Sequence, residues 1–283
     1  MVSATGHRFS EQETEEYYDA EDVIYRSVWD ADGSVHWGVF DKSTDGDSIR
    51  EQFLAAGIRL NELMVEYASI GETSKVLDVG CGNGNAAIWL ARNSGAHVTG
   101  VDLSGVRVAN AVESLKGVPE LAGKLAFEKA SATDLPFPDN TFTHFWSQAT
   151  VYHVPDKVTV LKEAYRVLQT GGMMIFDDLT KPRSDISESA QKFVYERLLF
   201  DTDFSFYSYI DTLREIGFKV LQARDLSSHL AQSYTYLSNL ASIAEGPEGY
   251  QDRFDYLADA YMKTVEAINN DELGWAQYLC IKQ

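Results

Sequence analysis

Apolar residues recur every three or four positions across residues 48–70, a period that matches one face of a helix. Further along the chain, short apolar runs alternate with segments of helical periodicity. The apolar runs predict strands at 75–79, 97–102, 124–129, 142–147, 172–177, 219–225 and 274–282. The periodic segments predict helices at 85–94, 105–116, 156–168 and 205–217. This alternation is typical of a doubly wound α/β fold with a parallel sheet.

Other segments lie outside this alternating pattern. Residues 1–15 are polar and are expected to be loosely ordered, and residues 16–40 are rich in aromatic side chains, with a turn at 30–33. Helical stretches are added at about 181–210 and at 228–269, where residues 245–249 form a break. Ligands of open α/β sheets bind beyond the carboxyl ends of the strands, so additions that follow those ends are expected to cover the crevice.

These segments suggest a division of the chain into three parts. Residues 1–50 form an N-terminal cap segment, and residues 51–180 form a nucleotide-binding core. Residues 181–283 supply cap helices and the last two strands of the core. The substrate is therefore expected to bind between the core and the added segments.

A glycine-rich turn follows the first predicted strand, in the sequence VLDVGCGNG. Gly80, Gly82 and Gly84 allow the backbone to approach a ligand closely, because a Cβ atom would clash there. The next strand ends in the sequence GVDLS, where Asp102 can accept hydrogen bonds from the hydroxyls of a ribose. An acid at Asp78, two residues before the first glycine, would repel a pyrophosphate but would suit a ligand with an ammonium group.

VLDVGCGNG and GVDLS together resemble the two leading motifs of the class I S-adenosylmethionine-dependent methyltransferases. The resemblance implies a Rossmann-like seven-stranded sheet in which the terminal strand is antiparallel and lies between the fifth and sixth strands. It also implies S-adenosylmethionine as cofactor, with Asp78 near the methionine ammonium, Asp102 on the ribose and Leu103 against the adenine. The cofactor residues expected on this basis are Asp78, Gly80, Cys81, Gly82, Asn83, Gly84, Asp102, Leu103, Ser131, Ala132, Thr133 and Ser147.

The segment KASATDLPF resembles the third motif of the family but departs from it. Ser131 stands where the family commonly has an acid that reads the adenine edge, and Asp134 comes three residues later. The Ala132 amide can still contact the base, and Ser131 can make only a weaker contact. The acceptor for the adenine amino group is therefore in doubt.

Two groups of residues are expected to face the substrate. After the fourth strand, Tyr152 and His153 are polar aromatic side chains, and His153 either acts as a general base or caps and packs its loop. In the cap, Tyr18 and Trp29 offer aromatic faces for a methylated cation, and Arg26 or else Arg197 could bind a substrate carboxylate or simply lie on the surface. The cap pieces YYD and HWG resemble those of sarcosine/dimethylglycine N-methyltransferases.

Charge and composition narrow the function further. The chain has 43 acidic and 24 basic residues and a net charge of −19, which disfavours binding to nucleic acid or to anionic membranes. Its two cysteines have no metal-ligand spacing, and it contains neither a secretory signal nor a long apolar run, so we expect a metal-free cytoplasmic protein. A homodimer is possible.

Three functions remain open on this evidence. The resemblance favours N-methylation of sarcosine or dimethylglycine toward glycine betaine. The alternatives are a C- or O-methyltransferase for a lipid, sterol, quinone or phosphobase, and a module that binds the cofactor without catalysis. An apolar substrate cavity would favour the second function, and an arginine among aromatic residues would favour the first.

Overall fold

The computed structural model describes residues 9–28, 37–46, 48–200, 203–243 and 251–283, and it describes the side chains of the first helix only as far as residue 20. Seven strands form one sheet: β1 Lys75–Val79, β2 His97–Asp102, β3 Leu125–Lys129, β4 Phe142–Gln148, β5 Leu168–Thr180, β6 Phe218–Asp225 and β7 Gly274–Lys282. Their order is β3-β2-β1-β4-β5-β7-β6. β7 is antiparallel to both β5 and β6, and the other pairs are parallel. The predicted fold class and the position of β7 are confirmed.

Helices cover both faces of the sheet. They are α1 Glu11–Val28, α2 Ile49–Ala68, α3 Asn85–Ser94, α4 Gly105–Ser114, α5 Lys157–Val167, α6 Glu188–Ala190, α7 Phe206–Ile216, α8 Ser227–Ile243 and α9 Gln251–Asn269, with a π-helical turn at Gln191–Glu196. Successive strand side chains point to opposite faces, so Val76 packs with the core under α2, α8 and α9, and Leu77 packs with the core under α5 and α7. We call the first of these the cap face of the sheet.

The N-terminal segment differs from its prediction. Residues 11–15, expected to be loosely ordered, form the first turns of α1. The polar side chains of this helix form hydrogen bonds with loops of the core. These contacts order the segment, and they cannot be inferred from its polar composition. The turn predicted at 30–33 lies outside the described residues.

The segment 37–40 crosses α2 at very close range. A Cβ atom on Gly38 would lie 2.2 Å from the carbonyl carbon of Ala56, so only glycine fits at this crossing. The Val39 amide donates to the Ala56 carbonyl at 3.0 Å. This crossing fixes Trp37 in the core of the cap face, where its side chain is 3% exposed.

Candidate active site

A cleft opens at the carboxyl ends of β1, β2 and β4, where the fold predicts a ligand. Its empty volume is about 1100 Å³, part of which is open to solvent. The loop after β1 forms one wall, the ends of β2 and β3 form the second, and the loop after β4 forms the third. The helix α1 contributes four residues that close the cleft from above.

The glycine-rich loop is fastened to the neighbouring strand by its own backbone. The amides of Gly80 and Cys81 both donate to the Val101 carbonyl, at 2.8 and 3.0 Å. Gly80 has a φ of +78°, and a Cβ atom there would lie 2.1 Å from the Thr150 hydroxyl oxygen. Gly80 is therefore required by the close approach of the loop after β4, and it also lines the cleft, where its spacing predicts the approach of a ligand.

Asp102 joins the two loops that form the floor of the cleft. Its Oδ2 accepts from the Gly82 amide at 2.8 Å, and its Oδ1 accepts from the Ser104 amide at 2.9 Å. Burial raises the pKa of this carboxyl, while the nearby Arg107 guanidinium and the two amides act in the opposite direction. Each carboxylate oxygen has a second lone pair, so the group can still accept hydrogen bonds from a diol in the cleft.

Asp78 is a buried acid with one open oxygen. Its side chain is 2% exposed, and Oδ2 has no hydrogen-bond partner among the described residues. Burial, and then repulsion from Asp102, raise its pKa to about 7. A cationic ligand beside the carboxyl would compensate both effects, so the cleft suits a ligand with an ammonium or sulfonium group.

The helix α1 lies across the cleft and bonds to the core by polar side chains. Glu15 pairs with Lys129, Asp19 accepts from the Ser104 hydroxyl, and Glu11 accepts from the Ser131 hydroxyl. The contacting residues of the helix, at positions 11, 15 and 18–19, are spaced by one turn and so share a face. The N-terminal half of α1 thus forms a polar lid, which we define as Glu11 to Asp19.

Tyr18 and His153 meet beneath this lid. The Tyr18 hydroxyl hydrogen-bonds to Nε2 of His153, and the Arg107 guanidinium lies 4.1 Å from the centre of the Tyr18 ring. Burial, together with the positive charges of Lys157 and Arg107, lowers the pKa of His153 to about 3. The imidazole is therefore neutral at physiological pH and can accept a hydrogen bond from the tyrosine. A pKa this low makes His153 a weak base, which favours a packing role in its loop over general-base catalysis.

Groups buried behind the cleft hold the turn that carries His153. Asp178 accepts from the Tyr152 amide at 2.8 Å, and Lys157 Nζ donates to the Tyr152 and Val154 carbonyls at 3.1 and 2.7 Å. Tyr152 itself is buried, with its ring centre 3.8 Å from that of His153. Because the backbone on both sides of His153 is fixed, its ring has a defined position beside Tyr18.

The structure brings most of the predicted site residues to one cleft. Those on its surface are Tyr18, Asp78, Gly80, Cys81, Gly82, Asn83, Asp102, Leu103, Ser131, Ala132 and His153. Four others do not lie on it: Gly84 begins α3 against Phe127, Thr133 bonds to Ser131 and Glu11, Ser147 donates to the Val79 carbonyl inside the sheet, and Tyr152 packs behind His153. Trp29 and the side chain of Arg26 lie outside the description.

Several cleft residues escaped the sequence patterns. Glu11, Thr14 and Glu15 come from α1, Arg107 from the start of α4, and Gln148 and Thr150 from the end of β4. Arg107 follows Asp102 by five residues, so it falls within the first turn of α4, the helix that follows β2. The spacing between Asp102 and Arg107 could have predicted Arg107 as a cleft residue. The residues of the lid could be identified only from the position of α1 in the structure.

Comparison with known proteins agrees with the motifs and the cleft. The profile of a family described as "Methyltransferase domain" matches residues 77–176. A sarcosine/dimethylglycine N-methyltransferase from Halorhodospira halochloris is 30% identical over 80% of each chain. The (+)-O-methylkolavelool synthase of Herpetosiphon aurantiacus is 29% identical over 79% of this chain and 76% of its own.

The fold agrees equally with a solved structure. It matches a Galdieria sulphuraria protein, provisionally assigned as a sarcosine dimethylglycine methyltransferase, with a TM-score of 0.79 at 25% identity. The match covers 94% of this chain and 99% of the other. The chain therefore belongs to the S-adenosylmethionine-dependent methyltransferases and is an enzyme of small-molecule methylation. Among the described residues, no helix is long and apolar enough to cross a membrane.

Proposed function

We propose that this enzyme N-methylates a small amine that carries a carboxylate, sarcosine or dimethylglycine, toward glycine betaine. The observation that carries the proposal is a row of polar side chains on the cap face, where β4, β5 and β7 lie side by side. Gln148, Asp177 and Gln277 are in register across these strands. Gln148 lines the cleft, and the other two continue the row beneath the cap.

Two atoms of this row are open. Asp177 is fully buried, and its Oδ2 has no hydrogen-bond partner among the described residues. Gln277 is also buried, and the same holds for its Nε2. One atom accepts and the other donates, so a ligand with an ammonium and a carboxylate would satisfy both.

A cluster of aromatic rings adjoins the acid through Trp275. Trp275 Nε1 donates to Asp177 Oδ1 at 2.8 Å, and the Trp37 ring lies 5.8 Å from that of Trp275 and 5.9 Å from that of Tyr234. Aromatic faces attract methylated ammonium groups by about 0.5–2 kcal/mol each. Burial raises the pKa of Asp177 to about 7, and a cationic substrate would favour its charged form.

The bound cofactor supplies an electrophilic methyl group, and Asp78, Gly82 and Asp102 are the residues that would hold it in the cleft. The protein's part is to orient the amine in its neutral form and to exclude water. The neutral imidazole of His153 accepts the hydrogen of the Tyr18 hydroxyl, so the tyrosine oxygen can accept a hydrogen bond from the amine N–H. A neutral amine oriented in this way keeps its electron pair for the methyl group, and the proton of the methylated product passes to solvent.

A second candidate is O-methylation of a hydroxyl-bearing compound. A hydroxyl both donates and accepts, so it too could satisfy Asp177 and Gln277. The relative from Herpetosiphon aurantiacus is named for an O-methylated product. The two candidate substrates differ in charge. Only an amine can be cationic, so only an amine gains electrostatic stabilisation from the Asp177 carboxylate.

The proposal is tested by incubating the enzyme and S-adenosylmethionine with each member of a panel of amino acids, amines, phosphobases, phenols, sterols and quinones. Formation of S-adenosylhomocysteine reports which compounds are methylated. We expect turnover of sarcosine or dimethylglycine, and Asp177→Asn should lower kcat/KM for these substrates at least tenfold. Asp139→Asn, which changes an exposed acid, is the matched control. Turnover confined to phenols, sterols or quinones would refute N-methylation and leave the cofactor site intact.

A further inference from the structure

The carboxylate of Glu11, in the first turn of the lid, lies against the end of β3. Both of its oxygens are 3.0 Å from the Ser131 hydroxyl, and Oε1 is 3.1 Å from the Thr133 hydroxyl. Glu11 and Ser131 both line the cleft. Two hydroxyls thus hold this acid in a fixed orientation at the edge of the cofactor site.

The position of this acid follows from the order of the strands. Asp102 ends β2, and the Ala130 amide after β3 donates to the Asp102 carbonyl at 3.0 Å, so the two strand ends are adjacent. Adjacent strands are separated by about 4.8 Å, and a nucleoside is longer than this spacing, so it reaches from one strand end past the next. A base attached to a ribose on Asp102 therefore extends toward Ser131 and Glu11.

The walls at this end suit a purine. Leu103, Ala130 and Ala132 line it with small or apolar groups against which a flat ring can pack. The ring edge must find an acceptor, because adenine has an exocyclic amino group that donates. The Ser131 hydroxyl oxygen already accepts from the Thr133 amide at 3.1 Å and carries no charge, so it is a weaker acceptor for the base than a carboxylate.

The other acids of the lid are engaged elsewhere. Glu15 pairs with Lys129 and Asp19 accepts from Ser104. Glu13 and Glu16 do not line the cleft and accept hydrogen bonds from Ser10 and Gln12 within the N-terminal segment. Glu11 keeps an open lone pair on Oε2, since Ser131 is the one donor to that oxygen within the described part of the chain. We propose that Glu11 reads the adenine amino group of the cofactor and that the lid thereby supplies the acid that is missing at Ser131, after β3.

The proposal makes the lid a part of base recognition. A base with an amino group at position 6 would fasten α1 over the cleft, whereas a base with a carbonyl there would meet a carboxylate and be repelled. S-adenosylmethionine and S-adenosylhomocysteine share this base, so both would hold the lid closed. Recognition of the base by Glu11 involves only the cofactor, so it is the same for any methyl acceptor.

Calorimetric binding of S-adenosylhomocysteine and of S-inosylhomocysteine, which has oxygen in place of the amino group, tests the proposal. The wild type should prefer the adenine ligand by about 10- to 100-fold, the range for a hydrogen bond to a charged acceptor. Glu11→Ala should bring this preference to within about threefold of unity. Glu16→Ala, an exposed acid on the same helix, should keep it.

A rescue experiment distinguishes base reading from simple fastening of the lid. Ser131→Asp combined with Glu11→Ala returns an acid to the same place from β3 and should restore the preference at least tenfold. If Glu11→Ala weakens both ligands equally, Glu11 only fastens the lid and the proposal fails. An unchanged preference in Glu11→Ala would also overturn it. No methyl acceptor is present, so these outcomes are independent of the proposed substrate.

Discussion

At the scale of single residues, Asp102 ties Gly82 to Ser104 in addition to facing the cleft. We expect Asp102→Ala to weaken binding of S-adenosylhomocysteine by about 1.5–3 kcal/mol, because hydrogen bonds to a carboxylate are lost. Isothermal titration calorimetry measures the change. Asp134→Ala, outside the cleft lining, serves as control, and an unchanged affinity for Asp102→Ala would remove this residue from the site.

Tyr18 should matter for catalysis more than for cofactor binding. Tyr18→Phe removes the hydroxyl that contacts His153 but keeps the ring under Arg107. We expect kcat to fall by about tenfold, the effect of losing one hydrogen bond that orients the amine, while the affinity for S-adenosylhomocysteine changes less than threefold. Steady-state kinetics and calorimetry measure the two effects.

The neighbouring Tyr17 provides the control for this prediction. Its ring contacts that of Tyr18 edge-on, yet it does not line the cleft. Tyr17→Phe should keep kcat within about threefold of the wild type. Equal losses in Tyr17→Phe and Tyr18→Phe would mean that the hydroxyl of Tyr18 has no special part in the reaction.

Single residues also show what the sequence could predict about the site. Asp78, Gly82 and Asp102 were found because their chemistry is encoded within a few positions of β1 and β2. Asp177 and Gln277 are a hundred residues apart and meet only through pairing of β5 with β7. No local sequence pattern indicates such a pair, so it could be identified only from the strand order of the sheet.

At the scale of elements, the loop after β1 and the loop after β4 depend on each other. Gly80→Ala would place a Cβ atom 2.1 Å from Thr150, and we expect a loss of about 3 kcal/mol or more from overpacking and the positive φ. Gly82→Ala meets nothing closer than 3.7 Å, so only the backbone term of about 1–2 kcal/mol applies. Urea unfolding of both variants measures the difference.

The comparison of these two glycines also has a clear contrary result. Equal destabilisation would mean that the left-handed backbone, and not the contact with Thr150, sets the need for Gly80. In that case Thr150→Ala combined with Gly80→Ala would give no recovery. If the contact matters, the double variant should regain part of the lost stability, because the two nearest atoms, Oγ1 and Cγ2 of Thr150, are removed and only its Cβ remains, at 2.6 Å.

Strands and helices with strong periodicity were predictable, and the lid was not. The predicted strand 75–79 and helix 85–94 coincide with β1 and α3, since buried positions repeat clearly there. The predicted strand 172–177 is shorter than β5, Leu168–Thr180, because polar and glycine residues at its start interrupt the apolar run. The helix α1 owes its position to polar contacts with distant loops, and such contacts produce no pattern of apolar residues in the sequence.

At the scale of the whole molecule, buried acids make stability depend on pH. The pKa values of Asp78, Asp177 and Asp178 are raised to about 7, mainly by burial. Between about pH 4 and 7 the folded protein holds protons that the unfolded chain releases, so these groups add stability that is lost as pH rises through 7. His153 acts in the opposite direction, because below pH 6.5 only the unfolded chain protonates it.

Burial raises the pKa of Asp102 as well, so four acids favour low pH, against three histidines with lowered pKa values, because His144 and His229 are also buried or partly buried. We therefore expect the cofactor-free protein to be more stable at pH 6 than at pH 8, by about 1–3 kcal/mol. Thermal unfolding at the two pH values measures this difference. Asp177→Asn should reduce it, and greater stability at pH 8 would contradict the assignment of raised pKa values.

The position of β7 has a consequence for biosynthesis. As the chain leaves the ribosome, β6 is complete at residue 225, but the strand that joins it to β5 is encoded by Gly274–Lys282. Through that interval the nascent chain carries two unpaired strand edges, which are prone to pair with other chains. We expect β1 to β5 to assemble first and the growing protein to depend on chaperones most strongly between the synthesis of β6 and that of β7.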